Sequence, residues 1–203
     1  MKKKDLIAAF IIGEACALIS LFVLNFIEFP PLVVSLVRFF PLILPALSIL
    51  GVFFASLFEQ KIPVIFQAGK SFLVGILNTF IDLGILTILM ESFRVFAGLY
   101  YVLFKATSFA FATLNSYFWN KLWTFEKKEA AVDLKQTSKF YLITIGGLLI
   151  HLAVSSSMVN FLGPQFGISE KVWAYVGAVA AVFFGFIWNF TGYKFIVFID
   201  KNG

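Results

Sequence analysis

Six long apolar stretches, parted by short polar breaks, set the limits on this chain. They cover residues 6–27, 39–58, 71–90, 95–119, 140–162 and 172–193. Each is close to the roughly 20 residues that a helix needs to cross the hydrocarbon layer of a bilayer. With 61% hydrophobic and 13% charged residues, the chain falls well below the charged share of about 25% usual in a soluble domain. The reading is an all-α membrane protein with six transmembrane helices. Pro41 and Pro45 fall early in the second stretch, where a missing N–H costs little, and Pro45 is the expected place for a kink.

The N-terminal "MKKKDLIAAFIIGEACA" has the basic start and the small residues at Ala15 and Ala17 of a secretory signal. The apolar run continues past that point through "LISLFVLNFI", so a membrane span is expected there instead. Basic residues mark the cytoplasmic side of such proteins. An even number of crossings returns the C-terminus to the side of Lys2, Lys3 and Lys4. That side then also carries Lys61, Lys70, Lys121, Lys127, Lys128, Lys135, Lys139, Lys194 and Lys201, against only Arg38, Arg94 and Lys171 opposite. Both termini are therefore expected in the cytoplasm, in a multi-pass protein of the cytoplasmic membrane. The net charge of +5 reads as topology and as contact with anionic lipid headgroups, not as nucleic-acid binding.

The last four stretches read as two copies of a helix hairpin. "KSFLVGILNTFID" (70–82) aligns with "KFYLITIGGLLIH" (139–151), and "SFAFATLNSYFWNKLWTF" (108–125) with "AVFFGFIWNFTGYKFIVF" (181–198). The alignment sets Asp82 against His151, Ser116 against Asn189, and Lys121 against Lys194. Both copies enter from the same side, so the repeat is parallel, with a pseudo-twofold axis along the membrane normal. Transporters often place the substrate path at such an axis. Ser108, Ala112 and Ser116 share one helical face, as do Ala181, Gly185 and Asn189. The first two positions of each trio suit close helix packing, and the third turns a polar group the same way.

Polar side chains at membrane depth are costly and pair or serve a function. Asp82 lies near the middle of its stretch, Asn78 shares its face, and His151 reaches a similar depth. Asp82 either orients a partner or carries a proton, or it fixes the bundle through His151 or an amide. Lys105, deep in its stretch, is expected to snorkel outward on its long stem, with Asp82, Glu14 or a phosphate as alternative partners. At the segment ends, Trp119, Tyr117, Trp123, Lys121 and Lys194 fit interfacial anchors. The amides Asn115, Asn120 and Asn189 gain nothing from facing lipid. Amides, lysines and rings together suit an anionic headgroup that carries a sugar, because lysine binds phosphate as a compact charge.

The opening "FLVGILNTFIDLGIL" (72–86) and the endings "LNSYFWNKLWTF" (114–125) and "WNFTGYKFIVF" (188–198) resemble the GtrA-like family of small four-span membrane proteins. The resemblance covers about residues 67–199 and leaves residues 1–62 as two additional N-terminal transmembrane helices. The second ending departs from the family pattern, with Ile196 at its aromatic position and Gly192–Tyr193 where an Asn often precedes the basic residue. The resemblance implies translocation of polyprenyl-phosphate-linked sugars for cell-surface glycosylation, with a cytoplasmic-side glycosyltransferase as partner. Asp82, Asn115, Asn120, Lys121, Asn189 and Lys194 fall on the matching motif positions. Four core spans make a thin bundle, so a homodimer is expected.

Two other functions fit the same residues. One is a membrane anchor that docks a glycosyltransferase through the loop 121–139. The other is a small proton-coupled exporter that uses Glu14 or Asp82. An enzyme is not expected: the chain has one His and one Cys, no metal-ligand spacing and no glycine-rich phosphate loop. No cofactor or metal is expected either.

Overall fold

In a water-soluble helix the large apolar side chains turn inward. The first helix here does the reverse. Ala8, Ala9, Gly13 and Ala17 face inward with Ile12 and Cys16, while Leu6, Ile7, Phe10, Ile11, Leu18 and Phe22 point outward. Lipid is as apolar as leucine, so burying large side chains gains little, and small residues let backbones approach.

The structure is a computed structural model that describes residues 2–27, 31–124 and 134–192, except the side chains of residues 134–141, 186 and 189–192. Its helices are α1 (Lys3–Leu24), α2 (Pro31–Arg38), α3 (Phe40–Ser56), α4 (Pro63–Phe93), α5 (Gly98–Trp119), α6 (Leu134–Ser156) and α7 (Glu170–Gly192). Short π-helical segments follow α5 (Asn120–Thr124) and α6 (Ser157–Leu162). No strand occurs among the described residues. Among the described residues three helical stretches are long and apolar enough to cross a membrane: Lys3–Leu24, Pro63–Phe93 and Leu142–Leu162. A fourth is reached if α2 and α3, which meet at 58°, count as one span. The chain is thus an all-helical membrane protein.

The expected second span begins at residue 39, and the bend falls there instead of at Pro45. Pro41 has no N–H to donate to the Val37 carbonyl and its ring crowds that group, so α2 cannot run smoothly into α3. Pro45 is carried inside α3. At 31 residues α4 is about 46 Å long at 1.5 Å per residue, longer than the roughly 30 Å of the hydrocarbon layer. Arg94, with φ at 55°, ends it, and the Val95 N–H closes back on the Met90 carbonyl at 3.3 Å.

The chain divides into two compact units. The first takes in α1 to α3, α4 up to Ile88, and α5 from Ala110. Its core joins Ala8, Ala9, Ile12 and Cys16 of α1 to Val52 of α3, then to Phe66, Leu73, Val74 and Leu77 of α4, with Trp123 closing one end. Gly13 lets α1 lie close against α3. A Cβ at Gly13 would lie 2.5 Å from Pro45 Cα and 2.8 Å from the Leu44 carbonyl carbon.

The second unit takes in α4 from Leu89, α5 up to Phe109, α6 and α7. Side chains tie its helices to backbone carbonyls. Tyr101 Oη donates to Ala174 O (3.0 Å), Trp188 Nε1 to Ile143 O (3.0 Å), and Trp173 Nε1 to Met158 O (2.7 Å). Met158 lies in the π segment, where the wider ladder leaves carbonyls accessible to a side-chain donor. Gly98 starts α5 at φ 76°, and Asn160 Oδ1 accepts its N–H at 2.6 Å.

Candidate functional site: a polar stripe and a buried ion pair

Ser71, Asn78 and Asp82 are separated by seven and four residues on α4. At 3.6 residues per turn they fall within about 40° of arc, a polar stripe on a helix otherwise suited to lipid. The stripe meets α5 amide to amide. Asn115 Nδ2 donates to Asn78 Oδ1 at 2.7 Å, and Ser71 Oγ donates to Asn120 Oδ1 at 2.9 Å. Asn120 in turn donates from Nδ2 to the Ser116 carbonyl (2.9 Å) and hydroxyl (3.2 Å). Asn78, Asn115, Ser116 and Asn120 are only half-buried, so these bonds are reachable from outside the core. Asp82, at the far end of the stripe, is buried.

Four expected site residues thereby come together: Asn78 of α4 with Asn115, and Ser116 with Asn120, which in turn bonds Ser71 of α4. Trp119 is half-buried and packs edge-on against Trp123, with ring centroids 5.8 Å apart. Lys121 is exposed, its Nζ 5.5 Å from the centre of the Tyr117 ring. It is held by an aromatic face and stays open to an anion.

Beside this stripe, Lys70 is expected from sequence only as a cytoplasmic-side cation and Trp123 as an interfacial anchor, and Asp5 has no expected role. Asp5 and Lys70 form an ion pair at 2.6 Å, with side chains 0% and 2% exposed. The carboxylate also accepts from Trp123 Nε1 at 3.1 Å and from the Lys2 backbone N–H at 2.9 Å. The ammonium lies over the Phe66 ring at 4.3 Å and the Trp123 ring at 5.4 Å. Phe66 and Lys70 meet because they are one turn apart on α4. Trp123 reaches them from the π segment that continues α5. Sequence offers one signal for Asp5: a single acid set among Lys2, Lys3 and Lys4 at a helix start.

In the second unit, Lys105 is completely buried. The expectation that it snorkels outward is therefore corrected: its stem is enclosed by helix packing. Ser108, one turn on, is equally buried, and its hydroxyl donates to the Lys105 carbonyl at 3.0 Å. His151 is buried against the Phe109 ring (4.8 Å between centroids) and fills the notch at Gly185. A Cβ at Gly185 would collide with the imidazole, so glycine there makes room for it. The Asn189 side chain and all of Lys194 lie outside the described residues. Among the described residues no group of His, Cys, Asp or Glu could hold a metal ion.

Residues 70–198 match the family described as GtrA/DPMS, transmembrane domain. The chain belongs to this family. It is also similar to the uncharacterized membrane protein YngA of Bacillus subtilis (strain 168), at 30% identity over 133 residues, which is 66% of this chain and 80% of YngA. No solved structure matches it. Membership makes the chain a membrane protein of lipid-linked sugar processes. The GtrA/DPMS match begins at Lys70, so α1 to α3 precede it. The buried pair therefore joins the first matched residue to a carboxylate from the preceding extension.

Proposed function

We propose that this GtrA/DPMS protein moves polyprenyl-phosphate-linked sugars across the cytoplasmic membrane. The observation that carries the reading is the half-buried amide pairing of Asn78 with Asn115, on a helix apolar enough to cross the bilayer. Amides bonded to each other lose little when they exchange that partner for sugar hydroxyls, since each supplies both a donor and an acceptor. Ser71 with Asn120 offers the same exchange nearer the start of the stripe, and Asp82 offers an acceptor farther along it. Lys121, exposed on its tyrosine, suits first capture of the phosphate. The polyprenyl tail stays in lipid throughout.

In this reading six helices cross the membrane, the last four as a parallel repeat of hairpins, and both termini are cytoplasmic. Two of the cations expected outside, Lys171 and Arg94, pair with Glu91 at 2.6 Å and 3.2 Å. A cytoplasmic glycosyltransferase supplies the lipid-linked sugar, and this chain acts as carrier, not catalyst. A homodimer would thicken the bundle.

The test is the sidedness of a labelled polyprenyl-phosphoryl sugar in proteoliposomes. The parent should equilibrate the label between leaflets, with Asp82→Ala and Lys121→Ala slower. Equal rates for all three proteins would refute these site residues. No transport by a folded parent, with glycosyltransferase recruitment intact, would favour the anchor function.

A further inference from the structure

We propose that the pocket around the Asp5 carboxylate is a phosphate site, and that the first turn of α1 is a latch occupying it until a lipid-linked phosphate displaces it. This deepens the reading above and rests on it for the identity of the anion.

The donors suit an anion of either kind. An ammonium at 2.6 Å and an indole N–H at 3.1 Å, both from outside α1, converge on one carboxylate. A phosphate oxygen accepts the same charge-assisted bonds. The ammonium is 2% exposed and set against two aromatic faces. A buried cation left without its counter-ion is strongly unfavourable. Asp5 therefore leaves most readily by exchange, as another anion arrives.

The exchange needs little movement. Asp5 sits in the first turn of α1, next to the exposed Lys2, Lys3 and Lys4. The packing that holds α1 starts at Ala8. Fraying one terminal turn releases the carboxylate and leaves the helix seated. The neighbouring lysines then meet anionic headgroups, which attract them. Lys70 adjoins Ser71, the first residue of the polar stripe, so a phosphate held there would direct its sugar toward Ser71 and Asn120. The cation and the indole belong to the GtrA/DPMS region, and the stand-in anion belongs to the extension that precedes it.

The test uses the full chain in lipid nanodiscs, with farnesyl monophosphate, farnesol and inorganic phosphate as probes. If the latch is closed about nine-tenths of the time, removing its charge should tighten apparent phosphate affinity about tenfold. Asp5→Asn is therefore expected to bind farnesyl monophosphate about tenfold more tightly than the parent. Lys70→Gln should lose that binding, and farnesol should not distinguish the variants. On the unmodified protein, farnesyl monophosphate should speed amide hydrogen exchange in residues 3–7 and leave residues after Ala8 unchanged. This measurement serves even where a variant folds poorly.

Unchanged or weaker binding by folded Asp5→Asn, or slower exchange in the first turn, would overturn the latch. Inorganic phosphate acting as well as farnesyl monophosphate would overturn the lipid assignment. Sugar-lipid transport by the parent without tighter binding in Asp5→Asn would refute the latch alone. Tighter binding and faster exchange, with no transport by any protein, would refute translocation and leave the latch standing.

Discussion

Gly13 and Gly51 provide a paired test of how α1 is seated. Both are helical glycines, and replacing a glycine by alanine in a helix interior gains about 1 kcal/mol from propensity alone. Their surroundings differ. At Gly13 a Cβ would stand 2.5 Å from Pro45 Cα, 2.7 Å from Pro45 N and 2.8 Å from the Leu44 carbonyl carbon, whereas at Gly51 nothing lies within 4 Å. The Gly13 neighbours are backbone, so no rotamer change relieves the clash. Restoring ordinary contact at 3.4 Å requires α1 and α3 to part by about 0.9 Å. A gap of that size forfeits a quarter to a half of each contact it opens, and those contacts include Ile12 and Cys16 in the core that holds Val52. Overpacking of this kind costs about 1–3 kcal/mol.

Set against the propensity gain, Gly13→Ala should destabilise by up to about 2 kcal/mol, and Gly13→Val should do so by more. Gly51→Ala should be neutral or up to about 1 kcal/mol more stable. Unfolding of the purified protein in mixed micelles, titrated with SDS and followed by circular dichroism, measures both. A Gly13→Ala protein as stable as Gly51→Ala would show that the α1–α3 crossing is not tight, and would refute the reasoning. Because α1 carries Asp5, loosening this crossing should also speed hydrogen exchange at residues 3–7.

Lys70→Met keeps most of the apolar stem but leaves the Asp5 carboxylate without its cation, and should cost about 3–5 kcal/mol; adding Asp5→Leu should recover a large part of that loss in the same SDS titration. Asn78→Ala and Asn115→Ala should each cost about 1 kcal/mol. Their double mutant should cost little more than either single, because each removes the same bond. Lys121→Ala, at an exposed position, should stay within about 0.5 kcal/mol of the parent, while its transport rate in proteoliposomes falls several-fold.

Helical class and membrane residence were legible because both follow from local composition: long apolar stretches between polar breaks. The inward turn of the small residues of α1 was not, since a run such as "LIAAFIIG" contains large and small apolar residues on every face until a neighbour selects one. The same holds for the bend before α3. Pro45 looked like the kink, but Pro41 acts first, because it has no N–H for the Val37 carbonyl. The polar stripe was half legible. Helical spacing gives Asn78 and Asp82 a common face, whereas the meeting of Asn78 with Asn115 depends on how α4 and α5 are set in register.

The buried pair shows the limit of reading charge by position. Lysines at the ends of apolar segments are interfacial in most membrane proteins, and Lys70 has that location in the sequence. What changes its environment is the length of α4, which begins at Pro63 and so puts Lys70 two turns inside a helix. With Phe66 on one side and Trp123 on the other, the ammonium is removed from water. A cation so enclosed must have an anion beside it, and the helix preceding the GtrA/DPMS region supplies one from its first turn. A terminal turn is the part of a helix that opens at least cost. The extension thus ties a demand for negative charge, at the head of the polar stripe, to a carboxylate in a terminal turn. Removing residues 1–7 should therefore either leave Lys70 drawing in phosphate from the membrane surface or unfold the region around Trp123; tighter farnesyl monophosphate binding with an unchanged SDS midpoint would support the first outcome, and a lowered midpoint with no binding gain would refute it.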